Sequence, residues 1–148
     1  MATLTFQTER WRDVLPELQT MFAEHSKDTH GMPVELDMDI YNAMDGAGQV
    51  HVVTARDDGW LVGYVIAFLK THLHSKSIPC CFVDSFYLRP EYRYEGSGQR
   101  LLQALVDSVR GRKIYLATTV KMNIDRILRG LGFVELERVY VMEASWPQ

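Results

Sequence analysis

Apolar and polar positions change period several times along the chain, and each change marks an element. Leu4 to Thr8 alternates weakly and predicts a first strand. Trp11, Val14, Leu15, Leu18, Met21 and Phe22 then recur at helical spacing, so Trp11–His25 reads as an amphipathic helix with its stripe in the core. The polar run Ser26–Pro33 holds Gly and Pro and reads as a loop. Leu36–Met44 is a short second helix ended by Gly46 and Gly48. Two runs rich in branched and aromatic residues, Gln49–Ala55 and Trp60–Leu69, flank Arg56-Asp57-Asp58-Gly59. Asp-Gly between such runs predicts a hairpin. Lys70–Pro79 reads as a strand end and loop. A strand from Cys80 to Leu88 follows, and Arg89-Pro90 stops it because proline lacks an N–H and restricts its predecessor. Helical spacing returns at Leu101, Leu102, Leu105, Val106 and Val109, with Gly111 as the cap. Lys113–Thr119 is a further strand, Ile124–Leu131 a short helix and Phe133–Ala144 a final strand. The order β-α-α-β-β-β-α-β-α-β describes an α/β sheet that mixes antiparallel hairpins with a right-handed crossover.

Composition narrows the class. With 148 residues, 47% hydrophobic and 11% aromatic, the chain suits one domain over residues 1–148 with a real core. A net charge of -3 and a pI near 5.9 argue against general nucleic-acid binding, which needs a basic face. No apolar run approaches the roughly 20 residues that span a bilayer, and the N-terminus lacks the basic and apolar regions of a signal peptide. Cys80 and Cys81 are neighbours, unsuited to a structural disulfide with each other, which fits a reduced cytoplasmic protein.

Candidate chemistry concentrates between the strand ending at Leu88 and the helix after Gly98. The link Arg93-Tyr94-Glu95-Gly96-Ser97-Gly98 holds two glycines that let the backbone turn with its N–H groups inward. The following helix adds unpaired N–H groups and the positive end of its dipole. Together they predict a phosphate site.

The stretch "LRPEYRYEGSGQRLL", followed about thirty residues later by "LRGLGF", resembles the GCN5-related N-acetyltransferase (GNAT) superfamily. The element order is similar over essentially the whole chain, and Arg93, Gly96 and Gly98 fall on the family's Arg/Gln-x-x-Gly-x-Gly/Ala pyrophosphate loop. His72-Leu73-His74 before this strand is also similar to small acetyltransferases of phage and prophage origin, which would place the protein in a host cytoplasm. The resemblance implies a mixed, partly splayed sheet flanked by helices, with acetyl-CoA as co-substrate. It implies that the backbone of Tyr94, Glu95, Gly96, Ser97, Gly98 and Gln99 holds the pyrophosphate, with Arg93 nearby. The main chain of Phe86 and Leu88 would pair with the pantetheine arm where the sheet opens after Leu88, and the Leu88 N–H would face the thioester carbonyl. Glu95 departs from the family pattern; a carboxylate is unfavourable beside phosphate, so it should point to solvent.

Acetyl transfer to an amine has two unequal proton problems. An alkylamine with a pKa of roughly 10.4 is neutral in about one molecule in 2,500 at pH 7, a handicap of about 4.6 kcal/mol. The thiolate leaving group, with a pKa near 8.5, needs only about 2 kcal/mol of help. A base therefore matters more than an acid. Asp84, expected on the same strand face as Phe86, is where many relatives carry a carboxylate; the other reading is an Asp that holds a neighbouring backbone or Arg93. The position where relatives carry a Tyr acid is Leu128 here, and the Asn that often opens that helix is shifted to Asn123. Tyr140 on the last strand is the preferred acid, with Tyr87, Tyr115 or water as alternatives.

His72 and His74 share one face near Cys80 and Cys81, but nothing completes a ligand set, so no metal is expected. Asp28, Glu35, Asp37, Asp39 and Asp45 form either a solvated face or an acidic lip that attracts a cationic acceptor. The acceptor is a small-molecule or protein amine, with neither nucleic acid nor membrane as partner, and a homodimer is left open. The rival reading is a non-catalytic CoA-binding or host-interaction protein on the same fold.

Overall fold

Hairpins build most of the sheet. The elements run β1 (Leu4–Glu9), α1 (Trp11–Ser26), α2 (Met38–Gly46), β2 (Val50–Asp57), β3 (Trp60–His72), β4 (Ser75–Leu88), α3 (Ser97–Ser108), β5 (Lys113–Leu116) and α4 (Asp125–Gly130). This computed structural model describes residues 3–29, 32–120 and 124–147. Part of the Ser26–Pro33 loop and the expected helix start at Asn123 lie outside them. The strands lie in the order β1-β2-β3-β4-β5. Pairing is antiparallel up to β4, and β5 joins β4 in parallel after crossing over through α3. Asp58 and Gly59, at φ 48° and 85°, make the left-handed pair that a tight hairpin requires. No described helix is long and apolar enough to cross a membrane.

Each face of the sheet carries its own core. On one, Leu101, Leu102 and Leu105 of α3 are fully buried against Val53, Val65 and Cys81. On the other, Trp11, Val14 and Leu18 of α1 and Tyr41 of α2 cover Val52, Tyr64, Ile66 and Tyr87. Burying one such large apolar side chain is worth about 1.5–3 kcal/mol, so the helices are held mainly by these stripes. Charge pairs fasten the joints: Arg56 bridges Glu9 and Glu17, and Arg89 at the end of β4 grips Glu24 of α1.

Three expectations need correction. The Lys70–Pro79 stretch is mostly strand: β3 runs to His72, β4 starts at Ser75, and Leu73-His74 alone make the turn. Pro79 is tolerated inside β4 because β5 pairs only from Cys80 onward, so no partner on that side asks for its missing N–H. The sheet opens earlier than Leu88, since β4–β5 pairing stops at Val83 and Leu116. The strand expected over Phe133–Ala144 is not paired; residues 133–147 carry no regular secondary structure, and from Val134 onward their apolar side chains lie in solvent.

One close approach fixes the end of β4. A Cβ on Gly63 would come within 2.7 Å of Leu88 Cδ1 and 2.8 Å of the Tyr87 carbonyl oxygen. Both neighbours belong to the strand that borders the candidate site, so they have little room to yield. Gly63→Ala should therefore destabilise the fold by about 1–3 kcal/mol, read as a lower urea midpoint with an unchanged m-value.

Candidate active site

The free edge of β4 is the first component. Backbone N–H and C=O of one strand residue point to the same side, and successive residues alternate. Arg89 donates its N–H to Val62 of β3 at 2.9 Å. Phe86 and Leu88 therefore turn their polar groups the other way, into the gap left where β5 has ended. The Leu88 carbonyl accepts from Arg93 Nε at 2.6 Å, and among the described residues no acceptor takes the N–H of Phe86 or Leu88.

The second component is the turn into α3. Glu95 and Gly96 are both left-handed, at φ 47° and 76°. They reverse the chain so that it enters the helix with its amides inward. Ser97 N–H bonds Tyr94, Arg100 N–H bonds Gly96, and among the described residues no acceptor takes the N–H of Gly96, Gly98 or Gln99. Such a cluster at a helix start suits a phosphate. A cleft of about 270 Å³ lies between edge and turn, lined by Phe86, Tyr87, Leu88, Arg93 and Tyr94, by Glu95 to Gly98, and by Ile124 and Ile127. A Cβ at Gly98 would stand 3.7 Å from both Phe86 and Ile127 and begin to fill it. Glu95 is exposed as expected, and Gln99 lies outside the lining, against Gly130.

Asp84 lies elsewhere. Ile66 pairs with Ser85 but Ala67 pairs with Val83, so Asp84 is the extra residue of a bulge. The bulge shifts the alternation by one. Phe86 packs with the α3-side core, whereas Asp84 turns to the α2 side and accepts a short hydrogen bond from Tyr41. The expectation of one shared face is thus corrected. Ser85 donates to the same Asp84 oxygen at 3.2 Å. Burial first, and then the bond to Asp84, push the Tyr41 hydroxyl far above its usual pKa, so it stays a donor.

Around Asp84 runs a belt of buried polar aromatics. His25 stacks on Tyr87 at 4.8 Å, and its Nδ1 meets the Tyr64 hydroxyl at 2.7 Å. Arg93 also lies over the Tyr87 ring and pairs with Asp28. Its guanidinium is therefore engaged with groups of the chain itself. Asp37 caps α2 through Ile40 N–H, and Asp45 pairs with Arg12. With Asp28, three of the five expected lip residues are thereby committed to structure. Tyr140 is 86% exposed and lines no part of the cleft. His72 lies tilted against Phe82 and Tyr115, with His74 beside it. Burial pushes the Cys81 thiol up to about 11.

A strand thus parts from its neighbour and continues into an amide-lined turn, and the profile of the acetyltransferase (GNAT) family matches residues 11–133. The chain belongs to the acetyltransferase (GNAT) family. Among solved structures it is similar to ribosomal-protein-alanine N-acetyltransferase of Brucella melitensis biovar Abortus 2308, with 19% identity, 97% of this chain and 99% of that one covered, and a TM-score of 0.67. A protein described as a predicted acetyltransferase from Clostridium acetobutylicum, solved with acetyl-CoA, shares 13% identity over 95% and 96% at a TM-score of 0.69. An aminoglycoside N-acetyltransferase solved with CoA shares 18% over 97% and 96%, also at 0.69. No curated protein matches the sequence. These identities establish the shared GNAT fold.

Sequence reasoning missed Tyr41, His25 and Gly63. In a single sequence Tyr41 is one aromatic on a short helix, and its meeting with Asp84 depends on a bulge that hydrophobic spacing does not signal. His25 offers a direct test of the polar belt. Burial, opposed by Asp28, holds its imidazole below the ordinary pKa of about 6.5. As pH falls the unfolded chain takes the proton first, so the stability of neutral His25 is full above about pH 6.5 and is lost below it. His51, also lowered by burial, adds to the same slope. His25→Gln, which can still bond Tyr64, should melt lower at pH 7.5 yet lose less Tm between pH 7 and 5 than the native chain. Parallel melting curves across that range would remove His25 as the titrating group.

Proposed function

We propose that this GNAT protein transfers an acetyl group from acetyl-CoA to a small-molecule amine. The observation that carries the reading is the unpaired edge at Phe86 and Leu88 leading straight into the amides of Gly96, Gly98 and Gln99. The residues fit the donor: Gly98 keeps the cleft open, and the turn offers main-chain donors for a diphosphate. When bound, acetyl-CoA supplies the activated acetyl group. Phe86 and Leu88 pair with its arm, and the Leu88 N–H donates to the carbonyl oxygen as charge develops there. Asp84 lies at the opening of the sheet with Tyr41 fixing one carboxylate oxygen, and it takes the proton that the amine loses on attack. Tyr140 lines no part of the cleft whereas Tyr87 does, so the thiolate leaving group takes its proton from Tyr87 or from water.

The amine acceptor is suggested by the aminoglycoside N-acetyltransferase of the same fold. Of the acidic run, Asp28 and Asp45 pair with arginines and Asp37 caps α2, so recognition of a cationic acceptor would fall to Glu35 and Asp39. One observation favours a second reading, a CoA-binding module without turnover: Tyr41 and Ser85 both occupy Asp84 Oδ2. Thiol release from acetyl-CoA across a panel of amines separates the two.

Two variants test the parts independently. Gly98→Val would push methyl groups between Phe86 and Ile127 and should weaken acetyl-CoA binding at least tenfold, about 1.4 kcal/mol. Unchanged affinity by calorimetry in the folded variant would sink the donor site. Asp84→Asn should slow turnover about 10²–10⁴-fold while leaving acetyl-CoA affinity nearly intact. The deficit should shrink at high pH, where the amine is already neutral. Native turnover at pH 7 in this variant would exclude Asp84 as the base.

A further inference from the structure

We infer, resting on the acetyl transfer proposed above, that the acceptor is a primary amine bearing a carboxylate, the two joined by a flat apolar segment that lies on Phe82. The donor cleft reaches in between Gly98 and Ile127 on the α3 side, so an amine bound for Asp84 crosses the other face of the sheet. Side chains on one face of a strand recur every second residue, and register partners share a face. Phe68 lies on the α2 side, its ring centre 5.2 Å from that of Tyr41. Phe82 is the register partner of Phe68, and Tyr115 that of Phe82, so all three rings share this face. Phe82 and Tyr115 stack at 5.2 Å with their planes only 14° apart. Neither belongs to the core under α1 and α2, and both stay half-buried. A flat aromatic surface is thus left open beside the carboxylate of Asp84.

The charges around these rings are positive. Lys70 Nζ lies 5.4 Å from the centre of the Phe82 ring and Lys113 Nζ 5.9 Å from that of Tyr115, with the His72 ring against both. Arg12, Arg56, Arg89 and Arg93 are each paired with a carboxylate, but among the described residues Lys70 and Lys113 are not. An anion brought to such an ammonium gains a charge-assisted hydrogen bond. A polycation would meet the same two lysines as like charges. Asp39 does not offset them. It precedes Tyr41 by two residues, and positions two apart on a helix do not share a face, so it points away from the sheet. Spacing then selects the molecule. Phe82 stands two strand residues from Asp84, about 7 Å, and Lys70 reaches over its ring. An amine at Asp84 therefore has its carboxylate a benzene ring away, at Lys70. An α-amino acid, with a single carbon between the two groups, is too short, whereas 4-(aminomethyl)benzoate has the reach. As its N–C bond forms and the thioester C–S bond breaks, the amine proton passes to Asp84 and the thiolate takes one from Tyr87 or water.

Calorimetry on the full chain saturated with CoA reads acceptor binding whether or not transfer occurs. 4-(Aminomethyl)benzoate should bind at least about tenfold more tightly than 4-(aminomethyl)benzamide, which has the same shape without the charge. That ratio should shrink as salt rises from about 0.05 to about 0.5 M, because the pair is only partly shielded from water. Lys70→Met should bring the ratio close to one in a protein with native circular dichroism, and Lys70→Glu should invert it. Equal affinity of the native chain for the two compounds overturns the inference. Tighter binding of spermidine than of the benzoate also overturns it and would point to Glu35 and Asp39. A clear preference for the benzoate with no thiol release from acetyl-CoA upholds the site and sinks the transfer reading. Thiol release at equal rates from both compounds, with equal affinities, does the reverse.

Discussion

Everything distinctive here depends on β4 being held on one side and released on the other between Asp84 and Leu88. On the β3 side the register is tight, and Gly63 lets Leu88 and the Tyr87 carbonyl approach closer than any side chain would allow. On the β5 side pairing ends at Val83. A strand in solution would not keep an unpaired edge straight, but a strand clamped along its other edge and packed on both faces does. The backbone groups at Phe86 and Leu88 are therefore presented without having to be ordered when a ligand arrives, which spares binding part of its entropic cost.

The bulge at Asp84 gives one strand two audiences. Phe86 and Leu88 belong to the α3-side core and the donor cleft, while Asp84, Ser85 and Tyr87 face α1 and α2. A donor running along the edge and an acceptor arriving from the α2 side could then meet at the same short stretch of chain from opposite faces. The polar belt of Tyr41, Tyr64 and His25 keeps that second face rigid through hydrogen bonds, where apolar packing alone would leave Asp84 unanchored.

Much of this was legible beforehand because it is written in local chemistry. Helical spacing located α1 and α3, Asp58-Gly59 the hairpin, and Gly96 and Gly98 the turn. The misses share a different cause. A bulge, a cross-sheet hydrogen bond from Tyr41 and a close approach at Gly63 are relations between residues distant in sequence, and no period records them. The acidic run stayed open for a related reason: carboxylates that cap a helix or pair with Arg93 and Arg12 look the same in sequence as free ones. The C-terminal run had the strand pattern expected of it but no strand beside it within the chain.

The paired cysteines have a consequence for how the molecule can be watched. Cys80 and Cys81 are completely buried in β4, so neither an oxidant nor an alkylating reagent reaches either sulfur in the closed state, and burial also keeps the Cys81 sulfur protonated. Modification must wait for the central sheet to part. The rate at which the native protein consumes a thiol reagent is then a clock for global opening, set by the same strand whose free edge defines the site.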